Sequence, residues 1–182
     1  MISRSHVRTM AAYNRWQNEA IYAAAATLDE KERMRDRGAF FGSIHGTLAH
    51  ILWADHVWLS RFDKCAAPGV LQKGSASYGG EWAAMRAARH ETDALMESWT
   101  ASLGKAALAS VLEWFSGSSQ QHARAPVWVV ATHLFNHQTH HRGQVHAMLT
   151  AAGVRTEDTD LFLMPRARWP RDDQDKASDE SV

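Results

Sequence analysis

The sequence predicts an all-α protein built as a four-helix bundle, with a long crossover between the second and third helices and a short irregular or hairpin segment before the fourth. Three observations predict it. Apolar residues recur at three- and four-residue spacing in four separate stretches. Glycines, prolines and serines that break helices gather between them. Finally, His133, His137 and His141 stand at successive four-residue steps inside the last stretch. A step of four advances only about 40° around a helix, so three imidazoles form a column on one face. With 11 His in 182 residues, random placement yields roughly 0.6 HxxxH pairs but only ~0.04 HxxxHxxxH triples, so composition does not account for the column.

From Ser5 to Leu28, the residues Met10, Tyr13, Ala20, Ala24 and Leu28 share a helical face beside Trp16, with alanine filling the intervals. From Ser43 to Phe62, a serine cap opens a stripe of Ile44, Leu48, Ile51, Trp58, Leu59 and Phe62. The run CAAPGVLQKGSASYGG, Cys65 to Gly80, holds one Pro and four Gly and reads as a long loop. Helical spacing returns from Glu81 to Leu103 through Trp82, Met85, Ala88, Leu95, Met96 and Trp99, with Gly104 placed to stop it. The stretch VLEWFSGSSQQHAR fits a small hairpin or an irregular crossover equally well. Pro126 then stands as a first helical residue, and Val127, Val130, Leu134, Val145, Met148 and Leu149 carry the fourth helix to Gly153. Past Leu163, prolines and charges replace apolar residues, so one domain is expected over 1–165 and a flexible tail over 166–182.

Composition excludes several classes. Charges balance at 20 and 20 with a pI near 7.2, which argues against nucleic acid or an anionic membrane as partner. No apolar run suits a signal peptide or a membrane span, so a soluble, cytoplasmic protein is expected. The single cysteine, Cys65, rules out an intrachain disulfide and multi-thiolate zinc sites; it reads as an inert thiol, and any metal must be held by His and carboxylate.

Taking His137 as the zero of angle, Val130 and Met148 fall at about +20°, Gln144 at about −20°, and His133 and His141 at about ∓40°, which places the histidines in the apolar stripe. A lone histidine there is ordinarily a satisfied core residue, but three stacked together need many partners at once. Two histidines one turn apart can ligate one ion, and a further ligand should come from a neighbouring helix. The second helix offers His45, His50 and His56, none central in its stripe, and periodicity leaves that choice open. Asp55, about 20° from the middle of that stripe, reads as half of a buried salt bridge to an arginine, or else as a base or orienter of a ligand imidazole. Gln144 either hydrogen-bonds a metal-bound water or ties two helices. Arg142, about 140° from His137, reads as solvent-facing or structural, and Gly143 as a point of close helix approach. Among the eight tryptophans, Trp53, Trp58, Trp82 and Trp99 suit packing between helices, and Trp53 and Trp114 are candidates for a pocket wall or a dimer surface.

The pairing of SIHGTLAHILWADHVWLSRF with HLFNHQTHHRGQVHAMLTAAG, joined by YNRWQNEAIYAAAATL and DTDL, resembles the DinB/YfiT family of metal-binding four-helix bundles, named for DNA-damage-inducible members. The likeness spans about Met10 to Pro165, and HxxxHHRGQ is its most specific part. It implies a metal triad drawn from the TLxHIL and HxxxH elements, which by position are His50, His137 and His141 here, with a fourth position left to water or substrate. It also implies that His133 stands beside the ligands rather than among them. The catalytic group is unassigned, with Asp55, Gln144 and His133 as candidates.

The activity so implied is that of a metal-dependent hydrolase or thiol transferase. A divalent ion, zinc or nickel foremost with manganese or iron also compatible, would lower the pKa of a bound water or thiol. The substrate would be a small molecule, such as a low-molecular-weight thiol, and the family likeness implies a homodimer. The alternative is a non-catalytic, stress-related metal-binding or interaction protein with a structural ion. A di-iron bundle fails for want of Glu-x-x-His pairs.

Overall fold

The computed structural model describes residues 1–117 and 119–170. In chain order the elements are α1 (Arg4–Ala26), a single-turn α2 (Glu30–Met34), α3 (Ile44–Ser60), α4 (Trp82–Ser102), a single-turn α5 (Lys105–Ala109), strands β1 (Val111–Ser116) and β2 (Gln121–Pro126), and α6 (Val127–Ala151). The chain is thus mostly helical, and its four long helices match the four periodic stretches. Helix α1 packs on α4 and α6, and α3 packs on the same two. Among the described residues no helix is long and apolar enough to cross a membrane.

Local chemistry sets the ends. Ser3 and Ser43 accept from the backbone N–H of His6 and Gly46 at 3.0 and 2.9 Å, satisfying donors that α1 and α3 leave free. At the end of α6, Gly153 takes φ +77°, and Val154 and Gly153 donate to the carbonyls of Leu149 and Thr150. That is the Schellman arrangement, which needs a left-handed residue. Gly104 does not do this: at φ −86° it opens α5 instead of closing α4 in the left-handed region. Pro126 ends β2 and stands just before α6 rather than within its first turn. Helices α2 and α5 escaped the sequence because five residues are too few to show a helical period.

The stretch before α6 is a hairpin, with Val111 opposite Pro126 and Ser116 opposite Gln121. The long loop carries a 3-10 turn at Gln72–Ser77 that lies against α3. Further 3-10 turns lie at Leu161–Leu163 and Arg166–Arg168, with Arg168 paired to Glu19 at 2.6 Å and the Trp169 indole donating to the Met164 carbonyl at 2.9 Å. The rest of the tail expected from composition, 171–182, lies outside the described residues.

The apolar core is in two parts. One joins Ile21, Tyr22, Leu48, Ile51, Leu52, Met85, Val145 and Leu149; the other joins Val7, Leu59, Met96, Trp99, Leu108, Leu134 and Phe135. Between them lies a buried polar layer. Asp55 accepts from Arg89 at 2.5 Å and from the Gln138 amide at 2.7 Å; Arg89 also pairs with Asp93 at 2.8 Å, and Asp93 accepts from Asn18 at 2.9 Å. Arg142 donates to Asn14 and, at 2.8 Å, to Gln138. Two arginines meet two aspartates, so the layer balances its charge.

Arg142 therefore does not face solvent. The physical reason is a rotation of the apolar stripe: Val127, Gln138, Val145 and Leu149 centre the buried arc of α6 at about +90° from His137, and Arg142 at about +140° falls inside it. The same rotation moves His137 and His133 from the middle of the core to its edge, where His137 is half-buried and His133 exposed.

Candidate metal centre

The histidines that meet come from α3 and α6. Each of His50, His137 and His141 offers a ring nitrogen, and these nitrogens all lie within 4.8 Å of one another. The Nε2 atoms of His50 and His137 are 3.2 Å apart. Two nitrogens held roughly 2.0–2.1 Å from one tetrahedral ion would be about 3.3 Å apart, so this spacing fits a shared divalent ion.

The outer nitrogens are already engaged. His50 Nδ1 pairs with Ser75 Oγ at 2.9 Å, and His141 Nδ1 with Gln144 Oε1 at 2.8 Å. A carbonyl oxygen only accepts, so His141 carries its proton on Nδ1 and turns the Nε2 lone pair inward. Burial does the rest. It is the main cause that lowers His50 to about 4, with His141 adding to it, and His137 to about 3, with the neighbouring imidazoles adding to it; His141 is lowered too, by burial first. All three are neutral ligands at physiological pH, which is the form that binds metal. The donor set, its spacing and its protonation thus fit a divalent cation.

Aromatic rings wall the cluster. Phe41 stacks on His50 at 3.8 Å and meets His141 edge-on at 5.4 Å. Gly46 permits this approach: a Cβ there would stand 2.4 Å from the Phe41 carbonyl oxygen. Trp53 lies 5.6 Å from His50 and is tethered by its indole N–H to the Val70 carbonyl. A cleft of about 480 Å³ adjoins, lined by Phe40, Phe41, Gln72, Lys73, Ser75 and Ala76, two of which touch His50.

The remaining sequence candidates separate cleanly. His133 is not in the cluster; its ring stands 5.9 Å from His137 and 5.2 Å from Trp58. His56 has both nitrogens occupied, by Tyr78 Oη at 2.6 Å and Thr92 Oγ1 at 2.7 Å, and His45 lies toward Trp82 at 6.2 Å. Asp55 is 1% exposed and bound to Arg89 and Gln138, which is the salt-bridge reading and leaves it no role as a base. Gln144 does not tie two helices: it holds His141 and reaches His140 at 3.2 Å, both on its own helix. Gly143 meets nothing within 4 Å, so it serves no close helix approach. Ser75 and Phe41 escaped sequence reasoning, because a serine in a glycine-rich loop and a phenylalanine ahead of a helix cap carry no periodic signal; glycine in the first turn of α3 was the one hint of a close contact.

Fold and cluster together define a mostly helical protein whose three gathered histidines can hold a metal ion. The chain belongs to the DinB family, whose model matches residues 1–176. No curated protein matches it. The crystal structure of a DinB-like protein from Bacillus cereus ATCC 10987 is similar in fold, with a TM-score of 0.56 at 16% identity over 79% of this chain and 90% of that one.

Proposed function

We propose that this protein is a metal-dependent enzyme of the hydrolase or thiol-transferase kind, a four-helix bundle in which His50, His137 and His141 hold one divalent ion, zinc or nickel foremost. The observation that carries the reading is the meeting of three neutral imidazoles at the edge of the core, beside a cleft, with no fourth protein ligand closing the set among the described residues. Four protein ligands make a structural site, whereas three leave a position for substrate. A divalent ion there supplies a Lewis acid that makes water or a thiol acidic near neutral pH.

The chain's own residues supply the rest. Ser75 and Gln144 fix the ring planes of His50 and His141, and Phe41 covers that pair against water. His133, exposed at the edge of the core, with its pKa lowered by partial desolvation and by Arg61, is neutral at pH 7 and stands one turn from His137, where it can accept a proton.

Untagged protein purified without added metal should carry close to one equivalent of divalent ion. In His137→Ala that metal and the turnover found in a screen of thiol transfer and ester or amide hydrolysis should both vanish, while Tm falls by less than about 5 °C, because the two apolar clusters and the polar layer close the core without an ion. A fall of many degrees on losing metal would transfer the case to a structural ion. Less than ~0.2 equivalents, with no uptake on addition, would sink both readings.

A further inference from the structure

Arg61 closes the C-terminus of α3, and its surroundings are unlike those of the other inward arginines. Its guanidinium lies 4.1 Å from the centroid of the Trp58 ring and 5.2 Å from that of Trp114, which the hairpin brings over from β1. Trp58 meets Trp114 edge-on at 5.4 Å and His133 at 5.2 Å, and His133 in turn lies 5.9 Å from His137. Two ring contacts beyond Trp58 therefore connect this cation to the histidine cluster.

The Arg61 backbone N–H donates to the Trp58 carbonyl at 3.1 Å, but no oxygen among the described residues accepts a hydrogen bond from its guanidinium. By contrast, Arg15, Arg37 and Arg89 pair with carboxylates, Arg33 with the Leu28 carbonyl, and Arg142 with side-chain amides. Burial is the one influence that moves the Arg61 pKa, downward, and no carboxylate opposes it. A half-buried guanidinium carries five N–H donors in a planar fork that matches a carboxylate, and contact with aromatic faces leaves those donors unused.

We propose that Arg61 anchors the carboxylate of a small organic acid whose reactive end occupies the His50–His137–His141 cluster, with Trp58 and Trp114 as the walls along its apolar body. The inference rests on reading that cluster as an open metal centre. One cation beside apolar rings suits a single negative charge on a carbon chain; a phosphate dianion would leave a charge uncompensated.

The test uses metal-free, full-length protein, titrated with 4-phenylbutyrate, with neutral 4-phenylbutan-1-ol and with phenyl phosphate, by calorimetry and tryptophan emission. The carboxylate should bind at least about tenfold more tightly than the alcohol, and Arg61→Gln should bring the two within about twofold of each other. Equal affinities in the wild type, a preference that survives in Arg61→Gln, or tighter binding of the phosphate would each overturn the proposal.

Should Arg61→Gln fail to fold, the wild type decides. A preference present at about 0.05 M salt and shrinking at about 0.5 M supports an ionic anchor, and one that ignores salt overturns it. Because no metal is needed, the two readings fail separately. Loss of the carboxylate preference with metal uptake intact removes the anchor alone. Retention of the preference in a protein that takes up no metal removes the metal centre and leaves the anchor.

Discussion

His50 Nε2 and His137 Nε2 face each other at 3.2 Å across the α3–α6 contact, while His50 Nδ1 is held from behind by Ser75 Oγ at 2.9 Å. A serine from the long loop thereby aims an imidazole that a helix supplies. Partners of this kind set the tautomer and basicity of a ligand, and their loss commonly costs 10–100-fold in metal affinity. Ser75→Ala should weaken binding of a divalent ion by roughly that factor while Tm moves by only a few degrees, as competition with a chromophoric chelator would measure. Unchanged affinity would show that Ser75 fills space and aims nothing.

Two glycines in similar helical settings should respond oppositely to alanine. In Gly46→Ala the new Cβ would sit 2.4 Å from the Phe41 backbone oxygen, so the segment that stacks Phe41 on His50 must move. The overpacking cost of about 1–3 kcal/mol exceeds the gain of up to about 1 kcal/mol from replacing glycine in a helix. Gly143 meets nothing within 4 Å, so Gly143→Ala should stabilise by about 0.5–1 kcal/mol. Thermal melts of both variants check the pair, and a stabilising Gly46→Ala would refute the close-approach account.

Acid should destabilise the metal-free protein in a definite window. His50 and His137 are held at about 4 and about 3 in the fold, and His141 below its usual value, whereas the unfolded chain titrates near 6.5. As pH falls through 6.5 the unfolded chain takes up protons that the native state refuses, so stability is full above that pH and drains away toward 4 and 3. Asp55 works in the other direction: burial raises it to about 6, against the pull of Arg89, so it favours the native state as pH falls through 6. Asp93, raised by burial, acts the same way, but two such groups stand against six histidines lowered in the fold, His45, His56 and His133 besides the cluster, which leaves a net loss. Urea unfolding at pH 7, 6 and 5 should show falling stability, and a flat or rising series would contradict the neutral cluster.

The buried ion pairs should be costly to break and cheap to delete. Removing Asp55 alone leaves Arg89 with one partner and the Gln138 amide with only the weak Met96 sulfur acceptor inside the core, so Asp55→Ala should cost about 3–5 kcal/mol. Asp55→Asn, which keeps an acceptor for Arg89 and Gln138, should cost less than half as much. Chemical denaturation measures both; equal costs would mean that the layer is held by packing and not by charge.

Period and capping in the chain were enough to place the four long helices, the Ser43 cap and the Gly153 stop, because those features depend on neighbours three and four residues away. His137 and His141 were legible as partners for the same reason, as they stand one turn apart. Their likeness to a family motif was what singled out His50 from His45 and His56. Angular position on α3 did not separate the three; the packing does, by covering His56 with Tyr78 and Thr92, turning His45 toward Trp82, and bringing the loop serine to His50.

The helical period of α6 located an apolar arc but not its centre, since a column of neutral histidines reads as apolar in a wheel and pulls the apparent centre toward itself. Contact with α1 and α3 sets the true rotation, about 90° away, and so decides that Arg142 enters the core and that the histidines lie at its edge. Ser75, Phe41 and Arg61 belong to the site or its margin through contacts between elements far apart in the chain, and no local pattern records such contacts. What short-range stereochemistry dictates could be read from the residues in order. The orientation of each helix about its axis, and with it the make-up of the site, depends on long-range packing that exists only once the chain has folded.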